Sequence, residues 1–407
     1  MPKEPAAPIH PTVKISPRGA TRLKAGHVWV YRSDIVSADG IPPGSPVCVS
    51  DHRGKPLGTA LYSSSSQIAI RMLSQDPVAD LPGLLRQRIA DALAYRESLV
   101  CDTDAYRLIF SEADFLPGLI VDRYNDILSL QILTQAMDAD PVRQTILAEL
   151  TERMHPASII ERVDPRVREL ESLPTRASGL LQGDRTSTIF TMNGIQFRYD
   201  ALEGQKTGAF LDQRENYAAA ARYAHGEALD VFCYQGGFAL HLAPRCSQVT
   251  AVDSSRPALE VADQNAALNQ ALLGAKEIEW IEANAFDLLK DYSAAARTDE
   301  ARRYDTIVLA PPAFAKSKRD LDAALRGYKE LNLRALKMLR PGGLLVTGSC
   351  SYHVSQSSFL EMLASAALDA HRTLRLVEVR GQAKDHPVLI NVPETAYLKC
   401  VIARVSN

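Results

Sequence analysis

Hydrophobic and polar positions divide the chain into three stretches with different periodicities. Between residues 12 and 73, short β-rich runs at 28–31, 46–49 and 68–71 alternate with clusters of Gly and Pro. Short apolar runs bounded by turn residues predict strands that are connected by tight loops. We therefore predict a small barrel-like or sandwich-like domain over residues 1–75.

The second stretch mixes helical and alternating patterns. Residues 79–100 have apolar positions at helical spacing, which predicts an amphipathic helix, and residues 141–153 predict another. Strands are predicted at 107–110, 119–122, 127–131 and 158–161. This pattern indicates a central α+β domain over residues 76–190, in which 163–187 are predicted to be an irregular linker.

From about residue 195 strands and helices alternate regularly. Strands are predicted at 228–234, 248–253, 278–283, 304–310 and 343–350, and helices at 213–224, 237–244, 256–269, 318–339 and 356–370. Such alternation indicates βαβ units and a doubly wound parallel sheet. Two final strands, at 373–381 and 396–405, are expected to form a hairpin on the sheet edge. The third predicted domain is therefore an α/β domain over residues 191–407.

Composition and charge narrow the class of protein. The chain is 46% hydrophobic and 23% charged, which is ordinary for a folded soluble protein. No apolar run is long enough to cross a bilayer and the N-terminal residues lack a signal-peptide pattern, so we expect a cytoplasmic location and no membrane partner. The six cysteines form no CxxC pair, and no metal site is expected.

Charge is distributed unevenly along the chain. Residues 1–75 contain nine Lys or Arg and four Asp or Glu, a net charge of +5, so the remainder carries −7 of the total of −2. A basic segment on an acidic body is typical of a protein that binds a phosphate-bearing partner. A soluble surface that happens to be basic explains the charge equally well.

A glycine turn follows the first strand of the α/β domain. Gly236 and Gly237 let a ligand approach the backbone there, and Asp253 at the end of the second strand can hold both hydroxyls of a ribose. The dinucleotide fingerprint G-x-G-x-x-G is incomplete, because its third glycine is missing. S-adenosylmethionine has no pyrophosphate, so the pattern favours this methyl donor over a nicotinamide cofactor. The alternative is a purely structural turn with a strand-end cap.

Polar and aromatic residues follow the third and fourth strands. Asn284 can bond the edge of an adenine, with Phe286 packed nearby. After the fourth strand, Pro311 and Pro312 make a rigid turn that can form one wall of a slot for a flat base, and Phe314 is available to stack on it. The alternative is an ordinary loop with a buried Phe.

Cys350 lies at the carboxyl end of the fifth predicted strand, the edge at which ligands bind in such sheets. A lone Cys in an apolar strand is usually a packing residue. A thiolate, however, can add to carbon 6 of cytosine and make carbon 5 nucleophilic enough to attack a sulfonium methyl group. A base then removes the proton from carbon 5, and the thiolate leaves.

Seven short motifs stand out along the chain, at residues 26–31, 110–119 with 121–124, 204–208 with 211–214, 232–239, 326–332, 349–351 and 384–387. They resemble the rRNA large subunit methyltransferase I family, whose members use S-adenosylmethionine to form 5-methylcytosine in 23S rRNA. The resemblance extends over nearly the whole chain and is most specific at 204–208 with 211–214.

The resemblance implies a class I (Rossmann-like) methyltransferase domain, an N-terminal PUA β-barrel that binds RNA, and a small central α+β domain. It implies S-adenosylmethionine as cofactor, ribosomal RNA as partner, and Cys350 as nucleophile; the β-rich N-terminal part can also support a homodimer. The implied cofactor-binding residues are Lys206, Thr207, Asp212, Arg214, Phe232, Tyr234, Gly236, Gly237, Asp253, Ser254, Asn284, Ala285, Ala310 and Pro311. The implied substrate-binding residues are Pro312, Phe314, Tyr328, Asp385 and His386.

Two positions depart from the family. Its fourth strand typically ends in Asp-Pro-Pro, but this chain has Ala310 before the two prolines, and Asn284 replaces a commonly acidic residue. Loss of a general acid costs on the order of 10²–10⁴ in rate. Three explanations are open. Asp385 or Asp212 can substitute for the missing Asp, or the protein can be slow or act on another nucleobase. The chain can also be a non-catalytic RNA-binding or ribosome assembly protein.

Overall fold

A computed structural model describes residues 9–202, 209–295, 302–315 and 317–406. These residues divide into two compact units. The first unit contains 9–188, 200–202 and 384–395, and the second contains the described residues of 189–199, 209–383 and 396–406.

The N-terminal part of the first unit is a six-stranded sheet with one short helix. Its elements are β1 (Thr12–Ile15), α1 (Pro17–Lys24), β2 (Trp29–Tyr31), β3 (Ile35–Ser37), β4 (Pro46–Ser50), β5 (Pro56–Tyr62) and β6 (Ile68–Ser74). The strand order is β2-β6-β5-β4-β1-β3, in which only β1 and β4 pair in parallel. The three strands predicted from the sequence are confirmed.

The rest of the first unit has a five-stranded sheet with helices. Its elements are α2 (Leu81–Leu99), β7 (Ala105–Phe110), β8 (Leu119–Tyr124), β9 (Ile127–Ile132), α3 (Asp140–Met154), β10 (Ser158–Glu161), α4 (Pro165–Leu170) and β11 (Gly179–Gly183). Leu85 and Ile89 of α2 and Ile146 and Leu150 of α3 are buried in one apolar core with the strands. The predicted α+β architecture is confirmed here.

The prediction that residues 163–187 form an irregular linker is wrong. The carboxylate of Asp164 accepts hydrogen bonds from the backbone N–H groups of Arg166 and Val167, which caps α4. Strand β11 then pairs antiparallel with β10 and completes the sheet. This strand is short and its side chains are largely exposed, so its local pattern does not distinguish it from a loop; the pairing with β10 creates it.

Residues 384–395 return to the first unit, although the sequence pattern assigns them to the last domain. The carboxylate of Asp385 is fully buried and accepts a hydrogen bond of 2.8 Å from the backbone N–H of Arg107. Val392 joins the apolar core of the N-terminal sheet. The division near residues 75 and 190 otherwise stays a prediction.

The remaining elements include the α/β domain. They are β12 (Ser187–Met192), β13 (Ile195–Asp200), α5 (Arg214–Tyr223), β14 (Glu227–Val231), α6 (Gly237–Leu242), β15 (Gln248–Asp253), α7 (Arg256–Leu268), α8 (Gln270–Leu273), β16 (Ile278–Glu282), α9 (Ala285–Ala295), β17 (Tyr304–Leu309), α10 (Leu321–Met338), β18 (Leu339–Ser349), α11 (Gln356–Asp369), β19 (Thr373–Arg380) and β20 (Lys399–Ser406).

The second unit is built on a seven-stranded sheet in the order β16-β15-β14-β17-β18-β20-β19. The first five strands are parallel, and β20 pairs antiparallel with both β18 and β19. The doubly wound sheet and the edge hairpin predicted from the sequence are therefore confirmed. The strand order reverses on either side of β14, and ligands bind at such a switch point, outside the carboxyl ends of the strands.

Arg96 is the largest charged side chain that is fully buried in the first unit. Its guanidinium binds both carboxylate oxygens of Asp114 and donates 2.9 Å to the carbonyl of Asp385. Replacement by Met leaves the Asp114 carboxylate buried without its cation. We predict that Arg96→Met lowers the free energy of unfolding by about 3–5 kcal/mol.

Chemical denaturation measures this loss, with Arg185→Met as the matched control. Arg185 pairs with Asp126 on the surface of the same unit, with half of its side chain exposed, so its loss should cost less than about 1 kcal/mol. Equal losses for the two variants would contradict the role assigned to burial.

Candidate active site

The turn after β14 has an unusual backbone. Phe232, Tyr234 and Gly236 all have positive φ angles, of 68°, 50° and 86°. A side chain in the left-handed region costs about 1–3 kcal/mol and persists only where the surroundings enforce it, which is common at functional sites. The strain therefore singles out the turn that the sequence predicts to bind the cofactor.

Asp253, the last residue of β15, holds this turn. One carboxylate oxygen accepts a hydrogen bond of 2.9 Å from the backbone N–H of Tyr234, and the other accepts one of 2.9 Å from Ser255. Each oxygen can accept a second bond, and the side chain is only half-buried, so it can still receive the hydroxyls of a ribose. The structural and the ligand-binding interpretations of Asp253 are thus compatible. Ser254 beside it is exposed.

The two glycines of the turn are required by packing. A Cβ atom on Gly237 would lie 2.6 Å from the Tyr217 ring, and one on Gly236 would lie 3.0 Å from the ring of Trp280. Tyr217 in turn packs edge-on against Phe238 of α6. The glycine pair therefore lets α5 and the start of α6 come together beneath the turn.

Asp230 is a fully buried acid in β14, two residues before the turn. One carboxylate oxygen accepts 2.9 Å from the backbone N–H of Ala239, while the other has no hydrogen-bond partner among the described residues. Burial, together with the nearby Asp253 carboxylate, raises the pKa of Asp230 from 3.8 to about 7. This titratable group therefore lies directly below the predicted cofactor site.

A short segment before α5 connects the turn to the last strand. The ring of Phe210 packs edge-on against Tyr234, with 5.2 Å between ring centres. The carboxylate of Asp212 accepts 2.6 Å from the hydroxyl of Tyr397, and its second oxygen is buried with no partner in the described part of the chain. Arg214, at the start of α5, is only 3% exposed.

The predicted cofactor residues Lys206 and Thr207 lie outside the described residues. Asn284 follows β16, and its side-chain oxygen accepts from the backbone N–H groups of Phe286 and Asp287, which caps α9. A bond from its amide nitrogen to an adenine stays a prediction. Ala285 is the first residue of α9, a helix that the sequence analysis missed, and it is buried.

The proline turn after β17 lies beside both Cys350 and the glycine turn after β14. We call the glycine turn the donor turn, because it is predicted to bind the methyl donor. The backbone N–H of Ala310 donates 3.3 Å to the carbonyl of Val231, and the sulfur of Cys350 lies 3.9 Å from the carbonyl oxygen of Pro311. Pro312 is exposed. Phe314 is half-buried among other rings, so stacking of this ring on a base stays a prediction.

Hydrogen bonds to Ser351 hold the loop that carries Cys350. The hydroxyl of Ser351 hydrogen-bonds the hydroxyl of Tyr328 at 2.9 Å and accepts 3.1 Å from the backbone N–H of Ala315. The ammonium of Lys399 donates 2.6 Å to the carbonyl oxygen of Ser351. Cys350 itself is half-buried. Tyr328 is fully buried, and burial raises the pKa of its hydroxyl; its predicted contact with the substrate stays a prediction.

The other two predicted substrate residues belong to the first unit. Asp385 and His386 are both buried there, and the His386 ring packs 5.3 Å from Phe110. Contact of either with a substrate stays a prediction. Within the described ranges, no cluster of three or more His, Cys, Asp or Glu is arranged to hold a metal ion, and no helix is long and apolar enough to cross a membrane.

Three residues of this site were missed by the sequence analysis, namely Asp230, Tyr397 and Lys399. For Asp230 and Lys399 the signal was present, because each is a charged residue beside apolar residues in a strand. For Tyr397 no sequence pattern marks the bond to Asp212, which lies 185 residues earlier.

These residues fit S-adenosylmethionine. Asp253 has free acceptor capacity at the switch point, and the unpartnered oxygen of Asp212 is a buried acceptor near the same edge in the described structure. S-adenosylmethionine carries hydroxyl, amino and ammonium groups, which can donate hydrogen bonds to such oxygens.

We predict that Asp230→Asn raises the stability of the ligand-free protein at pH 8 more than at pH 5. The carboxyl group of Asp230 keeps its proton up to about pH 7 in the folded state but only up to about pH 3.8 in the unfolded state. Its contribution to the free energy of unfolding is therefore full below pH 3.8 and is lost as pH rises through 7. Each unit of difference between the two pKa values is worth about 1.4 kcal/mol, so we expect Asp230→Asn to raise the free energy of unfolding at pH 8 by a few kcal/mol.

Denaturation of both proteins at pH 5 and pH 8, followed by Trp280 fluorescence in a Trp29→Phe background, measures this difference. Other titrating groups are common to the two proteins and cancel. A gain that is the same at both pH values would contradict the raised pKa.

Comparison with known proteins agrees with this geometry. Residues 13–75 match a PUA-like domain, and residues 119–404 match the S-adenosylmethionine-dependent methyltransferase family. A structure of SMU.776, a protein assigned as a methyltransferase and solved in complex with SAH, is 19% identical with a TM-score of 0.81, and covers 97% of this chain and 100% of its own. At that identity the match shows that the fold is shared.

Relatives at higher identity extend over almost the full length. The ribosomal RNA large subunit methyltransferase I of Shewanella amazonensis is 38% identical, over 97% of this chain and 99% of its own. That of Yersinia pestis is 37% identical, over 93% and 95%. The methyl donor of the matched family is S-adenosylmethionine, as the glycine turn and Asp253 predict. The chain therefore belongs to the S-adenosylmethionine-dependent methyltransferases and, among them, to the ribosomal RNA large subunit methyltransferase I family.

Proposed function

We propose that this protein methylates carbon 5 of a cytosine in large-subunit ribosomal RNA through a covalent bond to Cys350. The observation that carries the proposal is the position of Cys350, half-buried after β18 and next to the carbonyl oxygen of Pro311. A neighbouring residue, Ala310, is bonded to the end of the strand that leads into the donor turn. Nucleophile, rigid proline turn and donor turn thus adjoin one another.

The donor is held by residues on both sides of the turn. Asp253 accepts the ribose hydroxyls with the lone pairs that its backbone bonds leave free, and the amide nitrogen of Asn284 bonds the adenine ring. Asp212, with one unpartnered oxygen in the described structure, faces the polar end of the donor. When bound, S-adenosylmethionine supplies an electrophilic methyl group on a sulfonium centre.

Cys350 supplies the nucleophile. Its thiolate adds to carbon 6 of the cytosine, and the electron pair of the carbon 5–carbon 6 double bond becomes available at carbon 5 for the methyl group. A base then takes the proton from carbon 5, the double bond re-forms, and the sulfur–carbon 6 bond breaks to return the thiolate. Pro311 and Pro312 form the wall of the base slot, since a proline turn is rigid and offers no N–H groups there.

The substrate is held by the basic N-terminal segment. Residues 1–75 carry a net charge of +5 and include the PUA-like match. Exposed basic side chains such as Lys55 bind phosphates of the RNA backbone. An unpaired or flipped cytosine can then enter the slot. The names of the full-length relatives support ribosomal RNA as the partner.

The presence of Ala310 before the two prolines favours a second candidate function. It replaces the acid that would contact the base, so a protein that binds RNA and the donor without catalysis is the alternative. Of the two acids that can substitute, Asp385 uses its carboxylate to accept a buried hydrogen bond from the backbone N–H of Arg107 in the first unit, whereas Asp212 keeps one unpartnered oxygen among the described residues. We therefore favour Asp212 and retain catalysis as the first candidate.

Transfer of a labelled methyl group from S-adenosylmethionine to unmodified large-subunit rRNA, with nucleoside analysis, tests the proposal. We expect label in 5-methylcytosine, and Cys350→Ala should reduce the transfer by at least about 10³-fold because it removes the nucleophile. Ala310→Asp should keep or raise the rate.

The variants separate the two candidates. Label that appears only in Ala310→Asp would mean that the native chain binds without catalysis. Transfer that survives Cys350→Ala would contradict the covalent mechanism, and label in another nucleoside would contradict cytosine as the target. SAH binding by each variant shows that the fold is intact.

We also predict that Asp253→Ala weakens SAH binding about 10–100-fold, which corresponds to about 1.4–2.8 kcal/mol, because it removes the ribose acceptor and releases the turn. Isothermal titration measures the affinity. Asp263→Ala is the matched control, since it removes an exposed carboxylate from the helix that follows. Unchanged affinity in Asp253→Ala would contradict the predicted donor site.

A further inference from the structure

A lysine is buried beside the loop that carries Cys350. Lys399 is the first residue of β20 and pairs with Ser349, the last residue of β18. It is only 7% exposed, and the residues that follow it in β20 as far as Ala403 are buried and apolar. Its ammonium donates 2.6 Å to the carbonyl oxygen of Ser351 and 2.8 Å to that of Tyr397.

In the part of the chain that the structure describes, no carboxylate contributes to the pKa of this ammonium. A buried cation without an anion is costly, because two carbonyl dipoles replace only part of its hydration. Two of its three N–H groups are accounted for, and burial lowers the pKa of Lys399 to about 8. A negative charge on Cys350 opposes the effect of burial and raises the pKa of Lys399.

Apart from Cys350, no titratable group in the described residues shifts the pKa of Lys399. Tyr328 of α10 contacts the loop through Ser351, and burial raises its pKa, so it stays neutral at physiological pH. The carboxylate of Asp212 accepts a hydrogen bond from the hydroxyl of Tyr397 and does not shift the pKa of Lys399. Glu378 and Arg380 of β19 act on Cys400, whose side chain alternates to the opposite face of the sheet.

We propose that Lys399 is a positioning residue whose buried ammonium stabilises the thiolate of Cys350 and fixes the loop from Ser349 to Ser351. The proposal rests on the proposed function, in which Cys350 is the nucleophile. This role explains the presence of a cation in an apolar strand. When the thiol of Cys350 loses its proton to water, the thiolate balances the charge of the Lys399 ammonium. The ammonium acts through Cys350 and is not itself assigned a contact with the RNA.

The reactivity of the thiol tests this directly, without RNA or donor. Alkylation of Cys350 by iodoacetamide is followed across pH by peptide mass spectrometry, which separates it from the exposed Cys101. In Lys399→Met and Lys399→Gln we expect the rate at pH 7.5 to fall about 10-fold and the pH midpoint to rise by about one unit. The Gln variant is informative because it keeps an N–H donor but removes the charge.

Lys276→Met is the matched control. The ammonium of Lys276 also donates to backbone carbonyls, those of Ala243, Pro244 and Cys246, but it lies before β16, away from Cys350 in the sequence and at the other end of the strands. Its loss should leave the alkylation profile of Cys350 unchanged. A wild-type profile in Lys399→Gln, or an equal shift in Lys276→Met, would overturn the proposal.

A reciprocal measurement does not depend on the folding of the Lys399 variants. The ammonium of Lys399 lowers the titration midpoint of the thiol, and the thiolate raises that of Lys399 by the same amount, because coupling is reciprocal. We therefore expect Cys350→Ser to lower the titration midpoint of Lys399 by this amount. The midpoint is read by NMR of protein with ¹³C-labelled lysine, and an unchanged midpoint would refute the coupling. Methyl transfer that survives Cys350→Ala would overturn the proposed function but leave both titrations as they are, so the two failures are distinguishable.

Discussion

The hydrogen bond from the backbone N–H of Tyr234 to Asp253 is the interaction on which the site depends. It joins the end of β15 to the turn after β14, and so holds Phe232 and Tyr234 in left-handed conformations that side chains avoid. A turn fixed in this way presents its backbone at the switch point of the sheet, where the crevice opens. The same carboxylate keeps lone pairs free, so one residue both builds the turn and can bind the ligand.

A second set of contacts connects the donor turn to the nucleophile loop. Phe210 packs on Tyr234, and two residues later Asp212 accepts from the hydroxyl of Tyr397. The carbonyl oxygen of Tyr397 and that of Ser351 share the ammonium of Lys399. Segments that are far apart in the chain thereby converge at one edge of the sheet, and a change in the segment at 210–213 can affect both ends of the site.

Most of the fold could be predicted because its signals are local. Strands such as β15 and helices such as α7 are buried apolar runs or amphipathic stretches with their own caps; Ser255, for example, accepts from the backbone N–H of Ala258. β11 was missed because its residues are mostly exposed and only the pairing with β10 makes them a strand. The place of residues 384–387 in the first unit was missed too, because it depends on the bond from the backbone N–H of Arg107 to Asp385, which lies 278 residues later.

The sequence by itself determined the five parallel strands of the α/β domain, the glycine turn, the acid that ends β15 and the cysteine that follows β18, because periodicity and turn chemistry depend on neighbours within a few residues. Only the tertiary structure decided that Gly237 is required by Tyr217, that Asp230 holds its proton to about pH 7, and that Lys399 lies against the loop of Cys350. Each of these depends on burial and on groups brought together from distant parts of the chain, and no local pattern of residues specifies which groups will meet.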